Sequence, residues 1–128
     1  MNKYIIPFIF LMIPFQAVSQ GKKAGPEMIF KDTLHNFGTI WYQTDAFYEF
    51  TFKNTGKMPL VIDKVQSSCG CAVPEWKKEP VLPKGKGVIR VVYDSNKIGQ
   101  FQKTVKIYSN AINSPVTLLI IGAVKITE

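Results

Sequence analysis

Apolar and polar residues alternate along most of this sequence, and the spacing typical of helices is nearly absent. The clearest example is Ala46–Phe52, in which Tyr48 and Phe50 fall on one face and Glu49 and Thr51 fall on the other. Because successive side chains of a strand point to opposite sides of a sheet, this alternation predicts a half-buried β-strand.

Other segments carry a strand-like pattern and are separated by residues that favour turns. They are Met28–Lys31, Phe37–Ile40, Leu60–Gln66, Val88–Tyr93, Phe101–Ile107 and Val116–Ile126. The last of them is almost continuously apolar, so we expect it to be central in its sheet or buried on both faces. About seven short strands, with turn signals every 8–12 residues or so, predict an all-β, antiparallel β-sandwich.

Two features interrupt the alternation. Lys103 falls on the otherwise apolar face of Phe101–Ile107, and the segment 72–84 contains several prolines, the first of them Pro74. Since each proline removes a backbone hydrogen-bond donor, we expect residues 72–84 to be irregular.

The start of the sequence has the features of a secretory signal peptide over residues 1–19. Lys3 supplies the positive charge, residues 4–15 form an apolar run, and small residues precede a cleavage position after Ser19 or Gln20. The apolar run is too short to cross a bilayer core, which takes about 20 residues. We therefore expect export to the periplasm or the extracellular space and no membrane span after cleavage.

The remaining chain has room for one domain. We expect residues 20–27 to be a flexible spacer and residues 28–128 to form the β-sandwich. About 109 residues are enough for a single hydrophobic core but too few for two.

The charge balance does not indicate a nucleic-acid partner. The chain has 16 basic and 9 acidic residues, and loss of Lys3 with the signal leaves a net charge near +6. The lysines are scattered along the predicted strands, and Arg90 is the only arginine, although arginine is the residue best suited to grip phosphate. We expect a mildly basic, solvated surface.

The segment Ser67-Ser68-Cys69-Gly70-Cys71 holds both cysteines of the chain, one residue apart. In an exported protein such a pair is normally oxidised or bound to something. One interpretation is a small structural disulfide, for which Gly70 would allow the necessary bend. Closing a three-residue loop stabilises a fold by only about 1.5 kcal/mol in the chain-entropy treatment, so such a bond would not hold the sandwich together.

Thiol–disulfide exchange is a second interpretation of the same pair. A reactive thiol needs a pKa lowered by a helix N-terminus or a nearby cation. No helix is predicted here, and the cations expected near the cysteines are those of Lys64, Lys77 and Lys78.

Copper is a third interpretation, because two thiolates suit Cu(I). A structural zinc site normally has four protein ligands, whereas Cys69, Cys71 and the single histidine, His35, provide three at most. Met58 is a further candidate ligand for copper. No resident cofactor or metal is expected, and any metal that did bind would take Cys69 and Cys71.

The last interpretation treats the cysteine loop as a recognition surface. Trp41, Tyr42 and Trp76 are candidate anchors, since aromatic side chains often carry binding energy at interfaces. Trp76 follows Pro74 directly after the cysteines, which favours it over the other two. No catalytic motif is present, so we expect a protein that is not an enzyme.

Several distinctive motifs follow one another along the chain. They are Phe37-Gly38-Thr39-Ile40, Phe50 to Gly56, Pro59-Leu60-Val61-Ile62, Ser68-Cys69-Gly70-Cys71 with Pro74, and Gly99, Phe101 and Tyr108-Ser109-Asn110. Over roughly residues 28–125 they resemble the DUF1573 family of exported bacterial proteins, which is frequent in Bacteroidetes. The resemblance implies an immunoglobulin-like sandwich, similar to major sperm protein and ASH domains, and no established activity. Our expectation is a non-catalytic interaction module for an unknown protein or envelope component, with thiol exchange or Cu(I) binding as alternatives.

Overall fold

A computed structural model describes residues 24–126 of the chain, so the predicted signal peptide lies outside the described residues. This part of the chain contains strands and no helix, which confirms the predicted all-β class. The strands number eight: β1 (Met28–Phe30), β2 (Leu34–Trp41), β3 (Ala46–Asn54), β4 (Ile62–Ser67), β5 (Ala72–Glu75), β6 (Lys86–Tyr93), β7 (Gly99–Ser109) and β8 (Val116–Lys125).

The strands form two four-stranded sheets. The first sheet has the order β1-β3-β6-β5, and the second has the order β2-β8-β7-β4. All neighbouring strands are antiparallel except β2 and β8, which are parallel. The chain crosses from the first sheet to the second between β1 and β2, and β8 lies inside its sheet, as its apolar sequence predicts.

The core lies between the two sheets and is built from the alternating apolar positions. Phe50, Ile89 and Val91 face inward from the first sheet, and Val105 and Leu118 face inward from the second, all essentially fully buried. Burial of these side chains is the main source of stability, at about 1.5–3 kcal/mol for each large apolar side chain.

β5 was not expected, because the prolines predicted that residues 72–84 would be irregular. This prediction was wrong for Ala72–Glu75, which pairs with β6 and brings Pro74 opposite Val91. β5 lies at the edge of its sheet. An edge strand accommodates proline because the missing N–H can fall on the side without a neighbouring strand.

The end of the predicted spacer packs against the domain. Gly25 and Pro26 are buried, the Ile112 N–H donates to the Pro26 carbonyl over 2.8 Å, and the Thr55 N–H donates to the Glu27 carbonyl over 3.0 Å. The ordered domain therefore begins before β1. Within residues 24–126 the structure contains no helix with the length and hydrophobicity that a membrane crossing would need.

Asn54 closes the end of the sandwich at which β3 finishes. Its side-chain amide donates to the carbonyls of Met58 and Val81, over 2.8 and 2.9 Å. Its side-chain oxygen accepts the N–H groups of Glu27 and Gly56, over 3.2 and 3.0 Å. Asn54 is fully buried. We call this the amide end.

Candidate functional site

Three loops meet at the opposite end of the sandwich, which we call the disulfide end. They are residues 42–45, 68–71 and 94–98, which follow β2, β4 and β6. Ala46, Tyr93 and Ala72 lie side by side across β3, β6 and β5, so the loops next to them are neighbours. The Asp94 N–H donates to the Cys71 carbonyl over 2.6 Å, which ties two of the loops together directly.

Tyr93 forms part of the floor beneath these loops. Its ring stacks on Phe101 with the ring centroids 3.8 Å apart, and the residue is almost fully buried. Burial, together with the neighbouring carboxylate of Asp94, raises the pKa of the Tyr93 hydroxyl above its usual value. The floor is therefore apolar and neutral.

Cys69 and Cys71 are joined by a disulfide, with their Cα atoms 5.3 Å apart. This separation is shorter than the roughly 6.6 Å expected along a flat strand, so the segment is bent. Gly70 was expected to allow this bend, but the bend does not use a backbone conformation reserved for glycine. The φ angle of Gly70 lies outside the left-handed region, and a Cβ at Gly70 would meet nothing within 4 Å.

The disulfide loop is fixed to β7 by two hydrogen bonds. The Ser68 N–H donates to the Thr104 carbonyl over 2.9 Å, and the Thr104 N–H donates to the Ser68 hydroxyl over 3.1 Å. Cys71 is 4% exposed, whereas Cys69 is partly buried. Of the two residues, Cys69 is therefore the more accessible from solvent.

Lys103 was not considered a partner of the cysteines in the sequence, although its position was noted as unusual. Ser67 pairs with Val105, and Ser68 is bonded to Thr104, so Lys103 is the next residue of β7 after those that contact the start of the cysteine loop. Lys103 is partly buried and lies on the inward-facing side of β7. The only signal for it in the sequence is a lysine on an apolar face.

The lysines that were expected near the cysteines lie elsewhere. The Lys64 ammonium sits 4.8 Å from the centroid of the Tyr108 ring, beside the first half of β4. Lys77 and Lys78 follow the far end of β5, which runs away from the disulfide toward the amide end.

The structure separates the predicted aromatic anchors. Trp41 and Tyr42 lie at the disulfide end, where they are 45% and 37% exposed. Trp76 lies beyond the far end of β5 and packs against the core, and its buried indole N–H has no hydrogen-bond partner among the described residues. Pro74 lies on the inward-facing side of β5. Thus Trp41 and Tyr42 lie at the same end of the sandwich as the cysteine loop, with the loop 94–98 between them, whereas Trp76 does not.

The additional metal ligands suggested by the sequence do not join the cysteines. The His35 ring stacks on Tyr48 with centroids 3.6 Å apart. Desolvation lowers the pKa of His35, and the nearby Asp32 carboxylate partly opposes this shift. Met58 lies in the loop after β3, at the amide end. Within residues 24–126, no group of three histidine, cysteine, aspartate or glutamate side chains comes together.

Comparison with known proteins gives a family and a fold. The sequence model of a family described as "Protein of unknown function (DUF1573)" matches residues 28–124. No curated protein matches the sequence.

Three solved structures illustrate the fold. A protein of unknown function from Porphyromonas gingivalis W83 is 12% identical with a TM-score of 0.70, over 84% of this chain and 51% of that one. The human CEP192 ASH/PapD-like domain 7 is 8% identical with a TM-score of 0.71, over 86% and 93%. The Vibrio cholerae VesB protease is 14% identical with a TM-score of 0.64, over 76% and 32%.

These likenesses show the fold alone, because all the identities are low. The chain corresponds to about half of the Porphyromonas protein and about a third of the protease.

Proposed function

This chain belongs to the DUF1573 family, and we propose that it is an exported, non-catalytic interaction module of the cell envelope. Its disulfide end would bind a protein or another envelope component. The observation that carries this proposal is the exposure of Trp41 and Tyr42 at the same end of the sandwich as a loop that is held by a disulfide and by hydrogen bonds to β7.

The physical basis is a rigid scaffold that presents exposed aromatic side chains. The Tyr42 N–H donates to the Lys125 carbonyl over 2.8 Å, and the Gln43 N–H donates to the Ser95 carbonyl over 3.3 Å, so the loop backbone is fixed. Large aromatic groups on a fixed backbone lose little conformational entropy on binding and often dominate interface energetics. This favours recognition over chemistry at the disulfide end.

Export is supported by the signal-like residues 1–19 and by a disulfide between the two cysteines. Disulfides persist mainly in oxidising compartments. The check is the mass of the protein recovered from the cell envelope fraction. A mature N-terminus at Gln20 or Gly21 is expected, and an intact Met1 in the cytoplasmic fraction would contradict export.

Position-specific cross-linking tests the interaction role. A photoreactive phenylalanine analogue replaces Tyr42 in one strain and Met58 in another, since Met58 is more exposed than Tyr42, at 51% against 37%, but lies at the amide end. We expect a discrete cross-linked product from position 42, absent from position 58 and reduced by Trp41→Ala. No product at position 42, or the same products from both positions, would overturn the proposal.

Thiol–disulfide exchange is a second candidate function, and Lys103 is the observation that favours it. A partner thiolate would attack the sulfur of Cys69, the Cys69–Cys71 bond would break, and the Cys71 sulfur would take the electron pair and a proton. A second thiol of the partner would then resolve the mixed disulfide, leaving an oxidised partner and two cysteine thiols. An ammonium group of Lys103 that reached the cysteine loop would stabilise the Cys69 thiolate, which leaves when the partner's second thiol resolves the mixed disulfide.

Three measurements separate the candidates. The Cys69→Ala/Cys71→Ala double variant should keep its cross-linked partner if the protein is a binding module, and should lose all function while staying folded if it is thiol-active. If the protein exchanges thiols, adding Lys103→Met to the Cys71→Ala variant should raise the pKa of the Cys69 thiol. This pKa is measured from the pH dependence of Cys69 alkylation. A reduction potential below about −300 mV, typical of inert structural bonds, would exclude exchange.

Cu(I) binding is a third candidate and requires the same two thiols in reduced form. It predicts that the reduced protein retains copper against a competing chelator and that the double alanine variant does not. No copper retained by the reduced protein would exclude it.

A further inference from the structure

The first half of β3 has a neighbouring strand on only one side. β1 is short and pairs with Phe52–Asn54, after which the chain crosses to the second sheet. The last contact is a hydrogen bond from the Lys31 N–H to the Thr51 carbonyl, over 3.0 Å. On that side of Ala46–Phe50, the residues described by the structure provide no strand. We call Ala46–Phe50 the open edge.

Backbone groups of the open edge point outward and are unpaired. The carbonyl of Thr51 and the N–H of Thr55 bond toward β1, so odd-numbered residues of β3 direct their N–H and C=O groups to this side. Phe47 and Glu49 therefore present an N–H and a C=O each. Among residues 24–126, no hydrogen-bond partner is found for these groups. They are the groups that an added strand would pair with.

A shallow cleft of about 350 Å³ lies beside the start of the open edge. Its apolar walls include Phe37, Trp41 and Phe47, and Asp45 is the only charged residue that lines it. The stacked rings of His35 and Tyr48 lie between β2 and β3 and bridge the two sheets. The cleft therefore offers an apolar surface for a side chain and one carboxylate for a cation.

The other outer strands carry features that discourage pairing. β5 contains Pro74, and β2 is interrupted by an irregularity at Asn36–Thr39 in which Gly38 has a φ angle of 66°. β4 has a shift of register at Ile62–Lys64. Natural sheets protect their edges with such prolines, bulges and charges.

The open edge lacks these features. It contains no proline and no bulge. Its one charge, Glu49, is turned to the outer face of the sheet, where its carboxylate lies 3.7 Å from Arg90. A long unprotected edge that persists beside protected ones is explained by an occupant.

We propose that the open edge binds an extended segment of a partner protein by strand addition. Unpaired N–H and C=O groups in register select an extended backbone, the cleft selects an apolar side chain, and Asp45 selects a lysine or arginine close to that side chain. This goes beyond the proposed function by naming a sheet edge next to the disulfide end, with which it shares Trp41 and Asp45, and the class of partner it fits.

A second copy of this chain fits less well. Antiparallel pairing of two open edges about Tyr48 would bring Phe47 opposite Glu49, and Asp45 opposite Thr51. Neither arrangement supplies a cation to the carboxylates of Asp45 and Glu49. Charge complementarity therefore favours a basic partner segment, and dimerisation through β3 would be an outcome that overturns the proposal.

Peptide selection with matched variants is the direct test. Random peptides of about ten residues are displayed and selected on the immobilised mature domain, and the enriched sequences are synthesised. Their affinities are then measured for the wild type, Glu49→Pro and Glu49→Thr. Both substitutions remove the Glu49 carboxylate, but only proline removes the edge N–H. We expect about tenfold weaker binding to Glu49→Pro and a change within about twofold for Glu49→Thr.

A second measurement does not depend on the folding of the proline variant. N-methylation of successive peptide amides should weaken binding at every second position only, because alternate amides of a strand face the added edge. Binding should also slow hydrogen exchange of the Phe47 and Glu49 amides. No enriched peptide, or methylation effects without this alternation, would overturn strand addition.

The outcomes also separate this proposal from the proposed function. A peptide that binds the Glu49→Pro variant as tightly as the wild type, but binds the Tyr42→Ala variant more weakly, would overturn strand addition. The disulfide end would then remain as the binding surface. Conversely, peptide methylation could weaken binding at alternate positions while position 42 gives no cross-linked product. That result would overturn the proposed function and leave only the open edge as a binding surface.

Discussion

The two ends of the sandwich are closed in different ways. At the amide end, asparagine side chains bond to the backbone of distant segments, and one of them, Asn54, is fully buried. At the disulfide end, one covalent bond lies within a single loop, and large aromatic side chains remain exposed. The first end joins parts of the chain that are far apart in sequence, whereas the second presents a surface to solvent.

The amide end shows how much a few polar side chains can organise. Besides Asn54, Asn113 accepts the Met28 N–H over 3.0 Å and donates to the Met28 carbonyl over 2.7 Å, as a neighbouring strand would. Asn110 accepts the Val61 N–H over 2.8 Å. Buried hydrogen bonds of this kind contribute modestly when present but cost considerably when one partner is lost.

The disulfide end shows the opposite arrangement. Its bond joins residues two positions apart, so it constrains only the local path of the chain. Trp41 and Tyr42 remain accessible above a firm floor. With the proposed interaction role, the difference predicts that substitutions at the amide end lower stability, whereas substitutions at the disulfide end weaken partner binding.

The largest effect is expected from Asn54→Ala. The substitution leaves two backbone N–H groups and two carbonyls without their partner in a buried site. We expect a loss of about 3 kcal/mol in the free energy of unfolding, measured by urea denaturation. Asn96→Ala is the matched control, because Asn96 is exposed at the disulfide end. Equal losses for both variants would remove the distinction between the ends.

A smaller but clear loss is expected from Gly56→Ala, also at the amide end. A Cβ there would lie 2.6 Å from the Pro26 Cα and 2.7 Å from the Glu27 nitrogen, and it would also collide with the Gly25 carbonyl. Backbone atoms must move to admit it, so we expect a loss of about 2 kcal/mol in urea denaturation. Wild-type stability for this variant would show that residues 25–27 are not packed firmly against the domain.

The fold was largely predictable because its strands alternate strictly. A strand was predicted at Ala46–Phe52 from its pattern, and the observed strand ends only two residues later, at Asn54. The immunoglobulin-like arrangement came from the family resemblance, whereas the parallel pairing of β2 with β8 did not follow from any local pattern. Such pairing depends on where the chain crosses between sheets, which local alternation does not encode.

The site was less predictable because nearness in sequence was taken for nearness in space. Trp76 follows Cys71 closely, but the intervening β5 carries the chain about 13 Å away at 3.3 Å per residue. Lys103, by contrast, is far from the cysteines in sequence, yet β7 brings its neighbour Thr104 against Ser68 at the start of the cysteine loop. An extended strand separates neighbours in sequence, and a sheet joins distant residues.

Reduction of the disulfide should have a modest effect on stability. The closed loop contains three residues, which corresponds to about 1.5 kcal/mol in the chain-entropy treatment. Urea denaturation of the same protein with and without a reductant measures the difference, and the Cys69→Ala/Cys71→Ala variant provides the thiol-free control. A loss above about 3 kcal/mol would mean that the bond stabilises the sandwich as a whole, contrary to the contrast between the ends.

The smallest effect is expected from Gly70→Ala, which is the counterpart of Gly56→Ala at the other end. The new Cβ would have open space around it, and the backbone at Gly70 is not in the left-handed region. Alanine also restricts the unfolded chain more than glycine does, so the free energy of unfolding should change by less than about 0.5 kcal/mol in either direction. Because the loop conformation is retained, the cross-link from position 42 should also be retained. A loss of that cross-link without a loss of stability would mean that the partner contacts the Gly70 backbone itself, at a distance that a methyl group prevents.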